Sequence, residues 1–463
     1  MKNTTRFSIA LTLFSVLFII SFFRLDPDFG WHLRSGNYIL ANSIPRYDIF
    51  TYTAKNFVWI NHEWLNDVIV SEIYNFAGNV ALALFFGLLW SSVIVFASRK
   101  KDWFLSLLAT LAMFPYVGTR PVVWSLLFFV LLERMLEGKH KYRLFFLPIL
   151  FLIWANLHGG FVLGLVVLGI YTLFSKTKIS PFIFFTSFVA TLVNPYGLNL
   201  YAEIGRTLFD IRLHFRIQEW APFFISASGI FYIALFCALF LFIHKENDRV
   251  RRLVSLPGAL FILSFASTRY FPFFIVSSLR YLERWFTTFI QLIHQPLTGT
   301  RLFIRRLLKV LAVAIILYGF IHILYTLPQD PEAIYPKSAV AYLKRHPCRG
   351  NIFNSYDYGG YLIWKLPEKP VYIDGRMPSW KNMQTNYFAR YERVFKDQTF
   401  RKREFTTYNI MCAILHSEQK NNWVANVFHW NIYDEARLVQ ILEKEGWERV
   451  IEQGDSVLLI KNN

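Results

Sequence analysis

The sequence predicts a mainly α polytopic membrane protein with a C-terminal extracytoplasmic α/β domain. Three observations support this fold class: 54% of the 463 residues are hydrophobic, only 17% are charged, and the apolar residues collect in long runs. Soluble proteins carry about 25% charged residues. The composition becomes mixed after residue 326, so we expect a transmembrane domain over residues 1–326 and a soluble domain over residues 327–463.

Apolar runs that approach the length of a membrane span recur through the first 326 residues. No small-residue cleavage site follows the first run, which favours an anchor over a cleaved signal. Charged residues interrupt the ninth and tenth runs. The predicted spans, about eleven in all, are Ser8–Phe23, Val80–Ala97, Trp103–Val117, Val122–Leu136, Phe145–Ala155, Phe161–Phe174, Pro181–Val193, Phe223–Ile243, Leu253–Ser267, Phe271–Ser278 with a continuation toward Ile293, and Leu307–Leu327.

The placement of the basic residues predicts the topology. Residues 1–326 hold 30 Lys and Arg against 15 Asp and Glu, whereas residues 327–463 hold 19 against 16. A net charge of +18 can indicate a nucleic-acid partner, but here the excess lies between apolar runs, where it fixes orientation. With the N-terminus inside, 21 of the 30 basic residues are cytoplasmic and nine are outside. We therefore predict an integral membrane protein, without a nucleic-acid partner, whose N-terminus is cytoplasmic and whose C-terminal domain is extracytoplasmic.

The polar loop over residues 24–78 lies between the first two runs and is predicted to be outside. Its pattern predicts an interfacial helix over Asp28–Leu40, a break at Ile44–Asp48, an extended segment over Phe50–Trp59 and a second amphipathic helix over Trp64–Tyr74. The loop is dense in residues that perform chemistry, namely Asp26, Asp28, His32, Asp48, His62 and Glu63.

The later outside loops add cationic and imidazole side chains at the same membrane face. These are Arg120, His158, Arg206, Arg216 and Arg269. Arginine binds phosphate through two parallel hydrogen bonds, and a carboxylate can deprotonate an acceptor hydroxyl or bind a divalent cation. The combination predicts transfer of a sugar from a polyprenyl phosphate, with Asp28 and Asp26 as catalytic residues and as candidate ligands for Mg²⁺ or Mn²⁺.

Each of these residues also has a structural interpretation that the sequence leaves open. Asp26 and Asp28 fit a helix cap with an interfacial anchor, and Arg120 fits a cation that extends toward the membrane surface. His158 precedes two glycines and is typical of a packed turn. The cluster from Arg206 to Arg216 fits binding of lipid headgroups.

The order of these features resembles the GT-C superfamily of membrane glycosyltransferases, which includes protein O-mannosyltransferases, aminoarabinose transferases and oligosaccharyltransferases. The shared pattern is a first span, acidic residues, an interfacial helix, a turn, a second interfacial helix and the second span. It is carried here by Asp26-x-Asp28, Trp31-His32, Gly36, Pro45, Asp48, Trp59, Glu63-Trp64-Leu65 and the later turn Asn194-Pro195-Tyr196-Gly197. This arrangement is closest to uncharacterised bacterial proteins grouped near the superfamily.

The resemblance covers residues 1–326 and implies roles for the polar residues. It implies that Asp28 is the base with Asp26 as its partner, and that arginines of later loops, Arg120 and Arg269 first, bind the lipid phosphate. An acidic pair or a second acidic site is usual in the superfamily, whereas Pro27 separates the two acids here. The candidates for a second acidic site are the later acids Glu203, Asp210 and Glu219. The resemblance therefore leaves the need for a metal open.

The C-terminal region alternates short strands and helices. A helix is predicted over Pro336–His346 and short strands over Gly350–Asn354 and Pro370–Ile373. An alternating strand and helix pattern continues through Tyr408–Leu415, Val424–Phe428, Ala436–Glu445, Trp447–Ile451 and Ser456–Ile460. Asp374-Gly375-Arg376 follows a predicted strand, where α/β domains place ligand groups, although an ion pair that fixes the loop explains it equally. Cys348 and Cys412 are expected as free buried thiols, with a disulfide as the alternative.

Two functions from other classes remain alternatives. A transporter or flippase of lipid-linked glycans predicts an internal repeat and polar residues at the membrane midplane, whereas the charged residues here collect at one face. A non-catalytic assembly factor predicts that the loop acids tolerate substitution. The leading prediction is a glycosyltransferase acting on a polyprenyl-phosphate-linked sugar, with a lipid, glycan or protein acceptor.

Overall fold

The structure is a computed structural model that describes residues 2–98, 103–138, 141–174, 179–213, 217–222, 255–294, 310, 314, 317–328, 330–383, 385–418 and 434–462. Its helices are α1 (Lys2–Phe23), α2 (Phe29–Ala41), α3 (Trp64–Ala97), α4 (Trp103–Met113), α5 (Val122–Glu137), α6 (Leu147–Leu157), α7 (Phe161–Phe174), α8 (Pro181–Thr191), α9 (Asn199–Leu208), α10 (Leu256–Ala266), α11 (Phe271–His294), α12 (Lys337–Arg345), α13 (Gly359–Lys365), α14 (Tyr387–Lys396), α15 (Gln398–Thr407) and α16 (Glu435–Lys444). The strands are β1 (Asn351–Asn354), β2 (Ile410–His416), β3 (Trp447–Gln453) and β4 (Ser456–Lys461).

The chain forms two compact units, and the first is helical. It comprises Met1–Arg24, Asn79–Asn194 and Ile217–Gln329. In this unit α6 packs against α8, α10 packs against α11, and α11 also contacts α4 and α5. Large apolar side chains fill its interior, including Trp90, Phe129, Phe151 and Trp154.

The predicted spans correspond to helices wherever the structure describes them. The uncertain run from Phe271 toward Ile293 is the single continuous helix α11. The predicted span Phe223–Ile243 lies outside the described residues, and Leu307–Leu327 is described only in part. Within the described residues, α3 is the one helix whose length and composition suffice to cross a membrane, and the other apolar helices have 10–17 residues. The number of spans, eleven, therefore stays a prediction.

Helix α3 contains residues of both units, since the first unit resumes at Asn79. The backbone leaves helical geometry at Ala77 and Gly78, and Gly78 has a φ of 62°. Glycine adopts this left-handed conformation without the steric cost that a Cβ imposes. The break separates the predicted amphipathic helix Trp64–Tyr74 from the predicted span Val80–Ala97, so both segments are helical as predicted and form the two arms of α3.

The second unit combines three separate parts of the chain: Leu25–Gly78, Pro195–Arg216 and Asp330–Asn463. Its sheet has the order β1-β2-β4-β3, in which β1 and β2 are parallel and the other pairs are antiparallel. Aromatic residues of the first loop, including Trp31, Tyr52 and Trp59, share one buried apolar cluster with the sheet and its helices. The polar loop is thus built into the same core as the C-terminal segment.

The α/β pattern predicted for the C-terminal segment is confirmed, with one correction. The predicted strand Pro370–Ile373 is not part of the sheet. Instead, Val371 forms an isolated parallel bridge with Thr51 of the first loop; its N–H donates to Phe50 O at 3.0 Å, and its carbonyl accepts from Tyr52 N at 3.2 Å. The predicted segment Val424–Phe428 lies outside the described residues.

Cys348 and Cys412 form a disulfide, so the expectation of two free thiols is wrong. Their Cα atoms are 6.2 Å apart, and the bridge links residues 64 positions apart, joining β2 to the segment before β1. Sequence spacing alone gave no sign of this proximity. Both cysteines are buried, as expected for the free thiols.

The disulfide makes a prediction about stability. Replacing Cys348 by Ser is expected to lower the free energy of unfolding by up to roughly 4 kcal/mol, because the bridge restricts a long loop in the unfolded chain. Thermal unfolding of the purified full chain measures the change. Addition of a reductant to the wild-type protein should reproduce it, and the Cys348→Ser variant should be insensitive to that reductant.

Candidate functional site

The Asp26–Asp28 turn begins the second unit and leads into α2. The Asp26 carboxylate accepts a hydrogen bond from the Asp28 N–H at 2.8 Å. Asp28 occupies the position before α2, yet its own side chain makes no capping hydrogen bond. Asp26 therefore shapes the turn, while the carboxylate of Asp28 is not used as a helix cap.

The C-terminal segment lies directly against this turn. A Cβ on Gly360 would be 2.2 Å from the carbonyl oxygen of Pro27, and a Cβ on Gly30 would be 1.9 Å from the carbonyl oxygen of Gly360. Real Cβ contacts are not this short, so the two backbones approach each other only because glycines occur at both positions. Helices α2 and α13 are packed together by this contact.

His32 is the centre of a buried polar cluster one turn into α2. Its Nδ1 lies 2.6 Å from Asp67 Oδ1, and its Nε2 lies 3.7 Å from Glu63 Oε2. The other oxygen of Asp67 accepts from Asn61 Nδ2 at 2.7 Å. Burial lowers the pKa of His32, but the carboxylates of Asp67, Glu63 and Asp28 outweigh this and raise it to about 9. The imidazole is therefore a cation at neutral pH.

This cluster predicts a loss of stability at alkaline pH. The pKa of His32 rises from its ordinary value of 6.5 to about 9 on folding, so its contribution is complete below pH 6.5 and disappears as the pH rises through 9. We expect the free energy of unfolding of the wild type to fall between pH 7 and 9.5. In a His32→Gln variant this fall should be smaller, and an identical pH dependence in both proteins would contradict the assignment.

His62 and Glu63 lie beside this cluster. His62 Nε2 is 3.7 Å from Glu63 Oε1, and the side chain of His62 is 40% exposed whereas that of Glu63 is 10% exposed. The structure thus brings together three of the predicted substrate-binding residues, His32, His62 and Glu63, through neighbouring carboxylate and imidazole groups.

Asp48 forms a buried ion pair with the C-terminal segment. Arg376 Nη2 donates to Asp48 Oδ1 at 2.8 Å, and Arg376 also bonds both oxygens of Asp374, at 2.8 Å from Nε and 2.6 Å from Nη2. The side chains of both acids are fully buried. Burial lowers the pKa of Arg376, but the charges of Asp374 and Asp48 outweigh this and raise it above its ordinary value. Asp48 therefore faces Arg376 rather than solvent.

Four aromatic rings surround the guanidinium group of Arg376. Its Cζ lies 4.4 Å from the ring centre of Trp59, 4.9 Å from Phe50, 5.0 Å from Trp380 and 5.9 Å from Trp31. The face of an aromatic ring attracts a cation. Three of the rings come from the first loop, so the ion pair holds that loop and the C-terminal segment in one arrangement.

Arg206 lies on α9 in the same unit. It forms an ion pair with Glu203, and its Cζ is 5.1 Å from the ring centre of Phe57. Burial raises the pKa of Glu203, and the charge of Arg206 opposes the rise. Arg206 also borders an open cavity of about 540 Å³ together with Arg212 and Lys381. Asp210 also lines the cavity and pairs with Arg212, so the lining retains an excess of positive charge that suits an anionic group.

Arg120 and Arg269 converge on one carboxylate in the first unit. Arg120 Nη1 donates to Glu219 Oε1 at 2.7 Å, and Arg269 Nη2 donates to Glu219 Oε2 at 3.2 Å. The guanidinium group of Arg269 also lies 4.3 Å from the ring centre of Trp220. Glu219 thus keeps two like charges close together, and the three groups carry a net charge of +1.

His158 ends α6 in the first unit and takes part in a turn. Its Nδ1 is 2.7 Å from Ser125 Oγ and accepts from Gly160 N at 3.0 Å. Because Gly160 N–H is a donor, Nδ1 is the acceptor nitrogen of the ring. Ser125 Oγ accepts in turn from Trp154 Nε1 at 2.7 Å. Arg216 lies outside the described residues.

The two acids of the first loop do not complete a metal site by themselves. Magnesium and manganese prefer about six oxygen ligands. Asp26 already accepts a backbone N–H, and the part of the chain that the structure describes holds no group of three or more His, Cys, Asp or Glu side chains arranged to bind a metal ion. A requirement for Mg²⁺ or Mn²⁺ stays a prediction.

Sequence reasoning missed two features of these clusters. It treated Glu219 as only one of several later acids, and it had no means to join Asp48 to Arg376, which are 328 positions apart. The signal for the pair of Asp48 and Arg376 was the Asp374-Gly375-Arg376 stretch. An ion pair was one of the two interpretations of that stretch.

No family model matches the sequence, and no curated protein matches it. The fold, however, is similar to solved structures of an oligosaccharyltransferase from Archaeoglobus fulgidus. The apo form aligns with a TM-score of 0.57 at 11% identity, covering 88% of this chain and 70% of that chain. The oligosaccharyltransferase AglB from the same organism, in complex with an inhibitory peptide and a dolichol-phosphate, aligns with a TM-score of 0.59 at 11% identity, covering 95% of this chain and 72% of that chain.

A third structure, tethered to an acceptor peptide through a disulfide bond, aligns with a TM-score of 0.57 at 12% identity, over 98% of this chain and 74% of that chain. At such identities the likeness concerns the fold. It extends over nearly the whole chain, including the C-terminal segment for which the sequence resemblance made no claim. The chain therefore has the fold of these oligosaccharyltransferase structures, in agreement with the predicted GT-C architecture.

Proposed function

We propose that the chain is a membrane glycosyltransferase that moves a sugar from a polyprenyl-phosphate-linked donor to a lipid, glycan or protein acceptor. The observation that carries the proposal is the fold, which is shared over 95% of the chain with an oligosaccharyltransferase whose structure contains a dolichol-phosphate. The position of Asp28, with a carboxylate not used as a helix cap, supports it.

In the proposed reaction Asp28 is the general base. Its carboxylate accepts the proton of the acceptor nucleophile as that atom forms a bond to the anomeric carbon of the sugar. The bond between the anomeric carbon and the phosphate oxygen breaks, and the polyprenyl phosphate leaves with the electron pair. Asp26 keeps the turn in place through its hydrogen bond to Asp28.

The phosphate is assigned to Arg120 and Arg269. Their convergence on Glu219 supports this assignment, because two guanidinium groups held together by one carboxylate retain a net positive charge. Guanidinium groups bind phosphate oxygens bidentately, and their charge stabilises the leaving phosphate. Both this site and the Asp28 turn are proposed to lie at the extracytoplasmic face of a bacterial membrane.

The remaining predicted residues receive supporting roles. His62 and Glu63 would line the pocket for sugar or acceptor, since both lie near the His32 cation. Arg206 would bind an anionic part of the substrate from its cavity. Asp48 would act through Arg376. Substrate contact by His158 and Arg216 stays a prediction. A requirement for Mg²⁺ or Mn²⁺ also stays a prediction, and activity measured after chelation and again after addition of the metal would test it.

The test uses the purified full chain in lipid nanodiscs with synthetic polyprenyl-phosphate sugars. Replacing Arg120 or Arg269 by Gln is expected to raise the KM for the donor about tenfold or more, because each loses a charge-assisted hydrogen bond worth about 1.5–3 kcal/mol. Mass spectrometry of polyprenyl phosphate and glycosylated product measures turnover.

Arg393→Gln is the matched control, since Arg393 is an exposed residue whose ion pair with Asp397 spans one helix turn. It should leave the KM unchanged. Absence of transfer by the wild type with every donor, together with transport of intact lipid-linked glycan, would contradict the proposed function.

A further inference from the structure

The backbone at Gly375 touches the carboxylate of Asp28. A Cβ at Gly375 would lie 1.8 Å from Asp28 Oδ1, 2.7 Å from its Cγ and 2.9 Å from its Oδ2, so its three nearest neighbours all belong to one carboxyl group. Any larger residue at this position would displace that group. The C-terminal segment therefore provides the wall against which the Asp28 side chain rests.

The position of this wall is fixed by its two neighbours in sequence. Asp374 and Arg376 flank Gly375. Arg376 forms buried ion pairs with both Asp374 and Asp48, and the Arg376 N–H donates to Asp374 Oδ1 at 3.0 Å. Asp48 belongs to the same first loop as Asp28. The ion pair thus ties Gly375 to the loop that carries the carboxylate it touches.

The Asp28 side chain is not placed as a helix cap, because the Asp28 backbone is already helical, with φ −86° and ψ −9°. An Asp before the first turn of a helix usually accepts a hydrogen bond from an N–H group of that turn. Here the carboxylate lies against Gly375 and makes no such bond. The Asp28 carboxylate therefore rests against Gly375 instead of capping α2.

We propose that Gly375 and Arg376 are positioning residues for Asp28, so that the C-terminal segment sets the geometry of the base. This inference rests on the proposed role of Asp28. A displacement of about 1 Å at a reacting group can reduce the rate about 100-fold. In this proposal Asp374, Gly375 and Arg376 affect the reaction by holding Asp28 in place, and they do not contact the substrate.

The experiment compares two equal steric changes in the full chain. Gly375→Ala inserts a methyl group against the Asp28 carboxylate. Gly350→Ala inserts one 2.2 Å from the carbonyl oxygen of Asn409, in the same compact unit but at the β1–β2 pair. We expect Gly375→Ala to lower kcat about 100-fold with the KM for the donor unchanged, and Gly350→Ala to lower the unfolding temperature while kcat per folded molecule stays near that of the wild type.

A second variant decides the matter if Gly375→Ala does not fold. Arg376→Lys keeps the positive charge, but an ammonium group lacks the planar fork with which the guanidinium bonds both oxygens of Asp374 and also Asp48. It is expected to lower kcat at least tenfold at constant KM. Full kcat in Arg376→Lys or in folded Gly375→Ala, or an equal loss of kcat in Gly350→Ala, would overturn the proposal.

Asp28→Asn in the same assay separates this inference from the proposed function. If Asp28→Asn abolishes transfer while Gly375→Ala retains it, the positioning role alone is wrong. If Asp28→Asn retains transfer, the assignment of the base is wrong and the positioning role is overturned with it.

Discussion

Replacement of Asp28 by Asn is expected to reduce sugar transfer about 10²- to 10⁴-fold, the range that general base catalysis contributes. Asn preserves the size of the side chain but cannot accept a proton. Because the Asp28 carboxylate makes no cap for α2, the substitution should have little effect on that helix. We expect the loss in kcat per folded molecule, since the Asp28 charge also contributes to the raised pKa of His32.

The matched control for this prediction is Asp397→Asn. Asp397 is the N-cap of α15 and accepts from Phe400 N, and Asn caps helices as well as Asp. Its kcat should equal that of the wild type. Product formation by Asp28→Asn at more than half of the wild-type rate would remove Asp28 from the mechanism.

The second large effect concerns stability and follows from the buried ion pair of Arg376. Arg376→Gln leaves the carboxylates of Asp48 and Asp374 buried without their cation. Removing one partner from a buried pair typically costs about 3–5 kcal/mol. The expected result is a large drop in the unfolding temperature of the full chain, measured in the same detergent or nanodisc as the wild type.

Arg393→Gln is again the appropriate comparison, because it breaks an exposed pair on one helix. Such pairs contribute about 0.3–0.5 kcal/mol, so its unfolding temperature should hardly change. Equal unfolding temperatures for Arg376→Gln and Arg393→Gln would show that the buried pair does not hold the second unit together.

Local pattern was sufficient to predict most helices and the strands of the sheet. The amphipathic run that begins at Trp64 and the apolar run that ends at Ala97 meet at Gly78. A glycine between two predicted helices is a sequence signal for such a break. The segment Pro370–Ile373 was misread because an apolar run specifies extended backbone but not its partner. Val371 pairs with the first loop, a choice made by tertiary packing rather than by propensity.

The chemistry of the clusters was predictable, whereas their pairings were not. The density of Asp, His and Arg outside the apolar runs pointed to Asp28, His32 and Arg269. Contacts between distant positions, such as Asp48 with Arg376 and Cys348 with Cys412, depend on how the chain folds back over hundreds of residues. A single sequence has no local signal for them, because each residue type is equally compatible with a solvated loop.

The second unit has a consequence for the synthesis of the protein. Its first loop leaves the ribosome long before Arg376, which follows Asp48 by 328 positions. At about 5–20 residues per second, roughly 16 to 66 s separate the two. During that interval Asp48, Trp31, Phe50 and Trp59 lack Arg376, their partner in the folded protein. The acids of the first loop are then present in the nascent chain but are not yet in their final arrangement. Transfer activity is thus expected only after the C-terminal segment has been made, which couples the onset of function to completion of the chain.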